Sequence, residues 1–496
     1  MLISKIKNYL ILGLIAFGIF YFFKPPFIGD WDEFVYVYDN IIYHKFTTLC
    51  SGRIGYFWIC MPIWDFFHFL KVPVSEAWRV ISGISLLGGA GLILVFYKFC
   101  KDLINEKIAF LSSLFLIFSP AVIIYSGACM SDIPATFFLY AGLMFYYISI
   151  KKEKWYLYLL SGVIAGFAVQ MREQTLFFIP LFLYLSFVDG KNNKRLKGIL
   201  LFFTTYIIFA LIGHLIFPEL YLTYISERLP TFYGNSSIKF LIKKITSMGY
   251  QLNIYYTIIP LLLAVLEFLI TIFKEKNHRK VWLIVFWLII PILPLIPIQL
   301  YPVRYYIFVF PALAYLSASA IARLSFNWKI ILVITLIINI SGFGFIQKKS
   351  SNLTDLAYRN PPNGITHFVH LLKTRNKELR YEKEYGKALY EDFAENSVFL
   401  TGSYIFLTSL YYQQTGLRSD WIIIFPWMSN NEIITKTKYY LQLNRPVFID
   451  TELVKLALNE SNYDFLNKFE DNFSLKKLIF KNRKEINTIF QVFLKK

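Results

Sequence analysis

Residues Asn8 to Tyr36 read NYLILGLIAFGIFYFFKPPFIGDWDEFVY, and the change of character within this stretch decides the class of the chain. Residues 8–23 carry no charge and follow Lys5 and Lys7, so they read as a first membrane-crossing helix with a cytoplasmic basic flank. Pro25 and Pro26 come next, where a signal peptide would show small residues for cleavage, which favours an uncleaved span. Then Asp30, Asp32 and Glu33 fall within four residues, at the boundary the helix has just reached. Like charges in a partly desolvated place repel and raise at least one pKa. That suits a general base or a metal ligand. The plain alternative is a solvated acidic loop. Placement between an apolar helix and an aromatic segment weighs towards a site.

The rest of the chain agrees with this start. Hydrophobic residues make up 56% and aromatics 19% of 496 residues, and the mean hydropathy is +0.49. Such composition belongs to membrane proteins. Apolar runs mark spans at 8–23, 80–97, 108–125, 133–150, 156–171, 175–188, 198–217, 254–273, 281–298, 305–322 and 329–346. The net charge of +19 would suggest nucleic acid in a soluble protein. Here the lysines sit in short loops between spans. Lys151, Lys152 and Lys154, and Lys274, Lys276, Arg279 and Lys280, fall in inner segments, whereas short outer turns hold only Arg172 and Arg304. This asymmetry puts the N-terminus in the cytoplasm and predicts no nucleic-acid partner.

Two outer loops are long. In residues 24–79, Tyr56 to Leu70 is broken by Pro62 and reads as a helix lying on the membrane. In residues 218–252, Arg228, Lys239, Lys243 and Lys244 share a plausible amphipathic helix. From about Gln347 the composition becomes that of a soluble domain. Strand-like runs at Ser397–Thr401, Trp421–Phe425 and Val447–Asp450 alternate with helical patterns, among them Tyr404 to Gln414 closed by Gly416. The expected fold is therefore an all-α polytopic membrane protein of about eleven helices over residues 1–346, followed over 347–496 by a small extracytoplasmic α/β domain with a partly parallel sheet. No GxGxxG or Walker-type loop gives that domain a nucleotide site. Sequons at Asn235, Asn352, Asn459 and Asn472 decide nothing, and the four cysteines lack metal spacing. A Cys50–Cys60 disulfide is the less favoured reading of that pair.

Three further features carry candidate chemistry. Asp132, in Met130-Ser131-Asp132-Ile133-Pro134, stands at the outer mouth of the fourth span, where it could cap the helix or serve a site. Arg172-Glu173 and Arg304 interrupt apolar runs against the positive-inside bias, and ionisable groups at that depth imply partners. The guanidinium fork suits bidentate phosphate binding. Against that stand snorkelling and a local Arg172–Glu173 ion pair.

At these residues the chain resembles the GT-C glycosyltransferases, in particular the family 39-like group of dolichyl-phosphate-mannose–protein mannosyltransferases and bacterial aminoarabinose transferases. The resemblance rests on Asp32-Glu33 with Tyr36 after the first span, and on Arg79 in Ala77-Trp78-Arg79 at the start of the second. Ser119-Pro120 followed by Asp132, Arg172-Glu173 after the Gly162 and Gly166 span, and Arg304-Tyr305 before Pro311 complete it. It covers about 8–190 well and 281–346 more loosely. Where many relatives carry His-Pro-Pro in the first loop, this chain has Ser51-Gly52-Arg53-Ile54-Gly55. The resemblance implies an inverting transfer from a polyprenyl-phosphate sugar to an extracytoplasmic protein, lipid or glycan acceptor. Asp32 would be the general base, with Glu33 and Asp132 positioning the acceptor or tuning it. Arg304, Arg172 and Tyr305 would meet the donor phosphate. Asp30, Tyr36, Arg79 and Glu173 would line the substrate site. No cofactor is certain, and the clustered carboxylates leave a divalent cation open. A transporter or flippase of lipid-linked glycans is the main alternative, although no internal repeat supports it. A glycan polymerase and a non-catalytic assembly protein are the others.

Overall fold

In the computed structural model, the described residues are 2–24, 31–47, 51–187, 193–223, 256–275, 278–296, 303–323, 397–401, 422–423, 430–450, 464–477 and 489–495, with single positions at 226, 248–249, 252 and 333. Apart from those single positions, the expected span 329–346, the helix 404–414, loop 218–252 beyond Thr223 with its Arg228, Lys239, Lys243 and Lys244, and Asp30, Cys50, Asn235, Asn352 and Asn459 lie outside them.

The first helix, α1 (Leu2–Phe22), is apolar on every side from Tyr9 onward. Leu12, Ala16 and Phe20 are buried in the protein, while Leu10, Leu14, Phe17 and Tyr21 face outward. A helix whose outer face is as apolar as its inner one suits hydrocarbon rather than water. The chain then forms a short helix, α2 (Trp31–Phe34), that runs on as a wide π-type turn to Ile41. Next comes α3 (Ile54–Phe69), which keeps Pro62 inside it and begins just before the expected interfacial segment. Its Tyr56, Phe57, Cys60 and Trp64 are buried, while Phe66, Phe67 and Phe69 are exposed.

Helices α4 (Ala77–Leu103), α5 (Glu106–Ile117), α6 (Pro120–Ser126), α7 (Asp132–Lys152), α8 (Trp155–Met171), α9 (Ile179–Phe187), α10 (Asn193–Ile216) and α11 (Pro218–Thr223) follow. The expected span 108–125 is not one straight helix: α5 and α6 meet at 65°. Pro120 has no N–H to continue the α5 ladder, and instead starts α6 as its first residue. The pair 156–188 is likewise two apolar helices, α8 and α9, joined by a 3₁₀ turn over Glu173–Phe178. Among the described residues five helices are long and apolar enough to cross a membrane, or six if α5 and α6 form one bent span. Helices of 17 residues or fewer, such as α8, fall outside that count.

Small residues bring α8 against α10. A Cβ on Gly162 would lie 2.6 Å from the Phe202 carbonyl, and one on Gly166 would lie 2.6 Å from that of Tyr206. This is the small-xxx-small spacing by which membrane helices approach closely. The remaining helices are α12 (Ile258–Lys274), α13 (His278–Ile284, continuing irregularly to Leu295) and α14 (Phe310–Arg323). All of α14 from Phe310 to Ile321 is buried, rich in Ala and Ser, and packed between α12 and α5. Trp287 Nε1 donates to the Tyr140 hydroxyl at 2.8 Å, and that hydroxyl donates to the Phe308 carbonyl at 3.1 Å. This relay fixes the turn before α14 against α7.

The C-terminal part contains a five-stranded sheet in the order β2-β1-β3-β5-β4. Its strands are β1 (Val398–Thr401), β2 (Ile422–Ile423), β3 (Val447–Asp450), β4 (Phe473–Lys477) and β5 (Ile489–Leu494). The three expected strands are present and parallel to one another, whereas β5 joins β3, and β4 joins β5, antiparallel. Helices α15 (Asn430–Gln442) and α16 (Asp464–Asn472) bury Ile433, Ile434, Phe465 and Phe469 with Val398, Leu400, Val447 and Ile449. The Asn472 amide is engaged with Lys438 and the Lys468 carbonyl.

Candidate active site

Five separate segments meet at one place. Asp32 and Glu33 stand on α2, Arg53 enters α3, Asp132 opens α7, and Arg172 leaves α8. Arg304 comes from the 3₁₀ segment Val303–Val309 ahead of α14.

Local backbone rules place each of them. Gly52 adopts φ +74°, and a Cβ there would fall 1.8 Å from Glu173 Oε1. Only glycine admits both that left-handed conformation and that approach. The loop bearing Arg53 is thereby packed on the turn bearing Arg172. Arg172 itself is extended, at φ −161° and ψ 115°, and its carbonyl accepts both the Thr175 N–H and the Thr175 hydroxyl, which closes the turn. At α7, Ser131 holds the N-cap position and Asp132 is the first helical residue. Its carboxylate is turned to Arg172 rather than to its own helix end, which corrects the cap reading.

The arrangement contains two carboxylate–guanidinium pairs. Arg304 Nη2 lies 2.5 Å from Asp32 Oδ2, with both side chains mostly covered at 12% and 21% exposure. Arg172 Nη2 lies 3.1 Å from Asp132 Oδ1, with both almost sealed at 3% and 2%. The local Arg172–Glu173 pair considered from sequence is therefore replaced by a long-range one. Tyr305 stands between the two arginines, with its ring centre 5.1 Å from the Arg172 guanidinium and 5.8 Å from that of Arg304. Arg304 also points Nη1 at Met130 Sδ, 3.4 Å away. Arg53 lies over the Tyr36 ring at 5.4 Å.

At Asp32 the acidic triplet is not what sets the ionisation. Burial works against its ionisation, but Arg304, Arg53 and Arg172 outweigh it and hold the carboxyl at about 2. Crowded carboxylates would have raised it; three guanidiniums lower it. Burial keeps the Tyr36 phenol protonated, well above its ordinary range.

Glu33 faces elsewhere. Its Oε2 accepts the Cys129 N–H at 2.9 Å, and the Cys129 thiol donates to the Trp78 carbonyl at 3.1 Å. Ser85 donates to the Met130 carbonyl at 3.1 Å. The segment between α6 and α7 is thus tied to α4 on one side and to Glu33 on the other. Arg79 stands apart from this network. It is 56% exposed, pairs with Glu76 at 2.7 Å and lies over Trp78. Cys60 is a free, buried thiol, and its possible partner Cys50 lies outside the described residues. Asp32 and Glu33 turn to different partners, and among the described residues no three His, Cys, Asp or Glu side chains gather to hold one metal ion.

Arg53 is the member that reading the residue pattern alone passed over. It lies in a long loop, and the positive-inside comparison counts short ones, so it registers there as no anomaly. The signal was its neighbours: glycines at 52 and 55 around one arginine in a long loop of aromatic residues.

Residues 61–217 match the dolichyl-phosphate-mannose-protein mannosyltransferase family. No curated protein sequence matches the chain. Among solved structures, ArnT from Cupriavidus metallidurans bound to undecaprenyl phosphate aligns over 99% of this chain and 98% of its own, at TM-score 0.60 and 10% identity. The oligosaccharyltransferase AglB from Archaeoglobus fulgidus, in complex with an inhibitory peptide and a dolichol-phosphate, aligns over 99% of this chain and 74% of its own, at TM-score 0.51 and 12% identity. Such identities speak for the fold. This chain is a membrane protein that resembles the GT-C glycosyltransferases of the protein-mannosyltransferase and ArnT type, in fold along its length and in sequence over 61–217.

Proposed function

We propose that the chain transfers a sugar, with inversion, from a polyprenyl-phosphate donor to an acceptor hydroxyl or amine on the extracytoplasmic side. One observation carries this: a largely buried aspartate, paired with Arg304 and lying in the field of Arg53 and Arg172, where five segments converge. ArnT and AglB, with which the fold is shared, bind undecaprenyl phosphate and dolichol-phosphate, which supports a lipid-phosphate donor.

The chemistry follows from the charges. The acceptor's oxygen or nitrogen attacks the anomeric carbon while Asp32 takes its proton. The bond from that carbon to the phosphate oxygen breaks, and its electron pair leaves on the polyprenyl phosphate. A single displacement inverts the centre. The leaving group needs positive charge rather than a proton, and Arg304, Arg172 and Arg53 supply it as preorganised donors. Asp132 holds Arg172 in place, and Glu33, fixed on the Cys129 N–H, orients the acceptor beside Asp32 together with Tyr36. Glu173, lying against Gly52 beside Arg53, borders the substrate path.

The test is release of polyprenyl phosphate from a mixed pool of polyprenyl-phosphate sugars by purified protein in detergent, wild type against Asp32→Asn. Release by the wild type alone is expected. Release by both removes Asp32 as the base. No release by either, with intact lipid-linked sugar crossing a reconstituted bilayer, makes the chain a flippase instead.

A further inference from the structure

We infer that Arg304 is shared in turn between Asp32 and the donor phosphate, so that arrival of the donor takes the guanidinium from the carboxylate and leaves Asp32 open to the acceptor's proton. This rests on the function proposed above and adds the coupling between its two halves.

The two ion pairs of the site differ in a way that suggests exchange at only one. Arg172 and Asp132 are sealed at 3% and 2% exposure, and the turn that carries Arg172 is closed by Thr175. Arg304 and Asp32, at 12% and 21%, are the pair that an incoming anion can reach. The atom involved matters too. A guanidinium offers two forks, Nη1 with Nη2 and Nε with Nη2, and both include Nη2. Asp32 holds that nitrogen at 2.5 Å. A phosphate that grips Arg304 by either fork therefore meets Asp32 at one nitrogen, where their like charges repel. Arg304 has a second anchor in Tyr305, whose ring is 5.8 Å from the guanidinium, so it can change anions without leaving the site.

The consequence is an order of events. While Arg304 holds Asp32 Oδ2, the oxygen that should accept a proton is engaged as a hydrogen-bond acceptor. Once phosphate takes Nη2, that oxygen is released. The proton then passes from the acceptor to Asp32 as the new bond to the anomeric carbon forms and the bond to phosphate breaks. Base and donor are thus coupled through one side chain.

The exchange makes a prediction that a simple loss-of-base account does not. Asp32 competes with phosphate, so removing its charge should improve phosphate binding. Undecaprenyl phosphate would be titrated into four full-length proteins in detergent: wild type, Asp32→Asn, Arg304→Gln and the double variant. Asp32→Asn is expected to bind about tenfold tighter than wild type, ~1.4 kcal/mol, and this gain should vanish when Arg304 is Gln. Equal affinity of Asp32→Asn and wild type overturns the exchange, as does a gain that persists in the Arg304→Gln background, since Asp32 would then repel phosphate directly. Unweakened binding by Arg304→Gln instead removes the anion role proposed for Arg304. Arg304→Lys, which keeps a cation but cannot fork, serves the same cycle if glutamine prevents folding.

Discussion

Replacing Asp132 by alanine should be among the most damaging single changes in the helical part of the protein. Arg172 would lose its only ion-pair partner among the described residues, at 3.1 Å, while remaining 3% exposed. What is left is the Tyr305 ring at 5.1 Å, a cation–π contact of about 0.5–2 kcal/mol. Breaking a buried pair by removing one partner costs about 3–5 kcal/mol, because the other charge stays desolvated. The ring contact is already present in the wild type and offsets none of that. Replacing both partners, as Asp132→Ala with Arg172→Met, removes the stranded charge and should recover most of the loss. Unfolding in detergent is often irreversible, so the quantity to compare is the apparent melting temperature at one fixed scan rate. The single variant should fall by roughly 5–10 °C, and the double variant by much less. If the single variant stays within about 1 kcal/mol of wild type, or the two changes simply add, the pair is not what holds α7 to the end of α8. A double variant that regains stability yet transfers no sugar would place Arg172 at the phosphate as well as in the lock.

Other consequences are more local. Asp32 is protonated only as pH falls through about 2, so its charge is present above that value and lost below it. The pH profile of kcat/KM should therefore show no acid limb from Asp32 between about pH 4 and 8, and a limb near neutrality that moved in Asp32→Glu would contradict this. Gly52→Ala should cost about 1–3 kcal/mol, because its Cβ would enter Glu173 Oε1 at 1.8 Å with φ at +74°. Transfer should fall with it, since Arg53 is the next residue, and wild-type transfer by this variant would free the loop from the site. Gly166→Leu should force α8 from α10, where the Tyr206 carbonyl stands 2.6 Å from the added Cβ. A loss of at least about 1–3 kcal/mol is expected, read as the fraction of monodisperse protein recovered from membranes.

Much of the framework was legible because it rests on one-dimensional signals. Apolar runs marked most of the helices, and short β-rich runs at 398–401 and 447–450 marked parallel strands. Breaks were legible only in part. Pro120 announces the bend between α5 and α6, whereas nothing in Val285–Ile289 (VFWLI) announces the π-type turn found there. Strands β4 and β5 were missed for a similar reason. FSLKK ends on two lysines and pairs only with β5, and an edge strand need not show a buried face along its length.

The site shows where such reading stops. Loop charge led the sequence to group Asp32, Asp132, Arg172 and Arg304 together, and the structure does bring them to one place. Sequence could not say who pairs with whom. Arg172 is a neighbour of Glu173 along the chain, but the extended backbone at Arg172 and the turn that follows send the two side chains to different partners. One reaches Asp132 at the mouth of α7, and the other lies against Gly52. Likewise an acidic triplet argues for a raised pKa only while its surroundings are unknown. Arg304 lies 272 residues away in sequence from Asp32 and Arg53 lies in a loop of its own, yet together with Arg172 they set the sign of the shift. In a bundle where charges are scarce and each is costly to bury, the identity of a charged residue is a local property and its ionisation is a tertiary one.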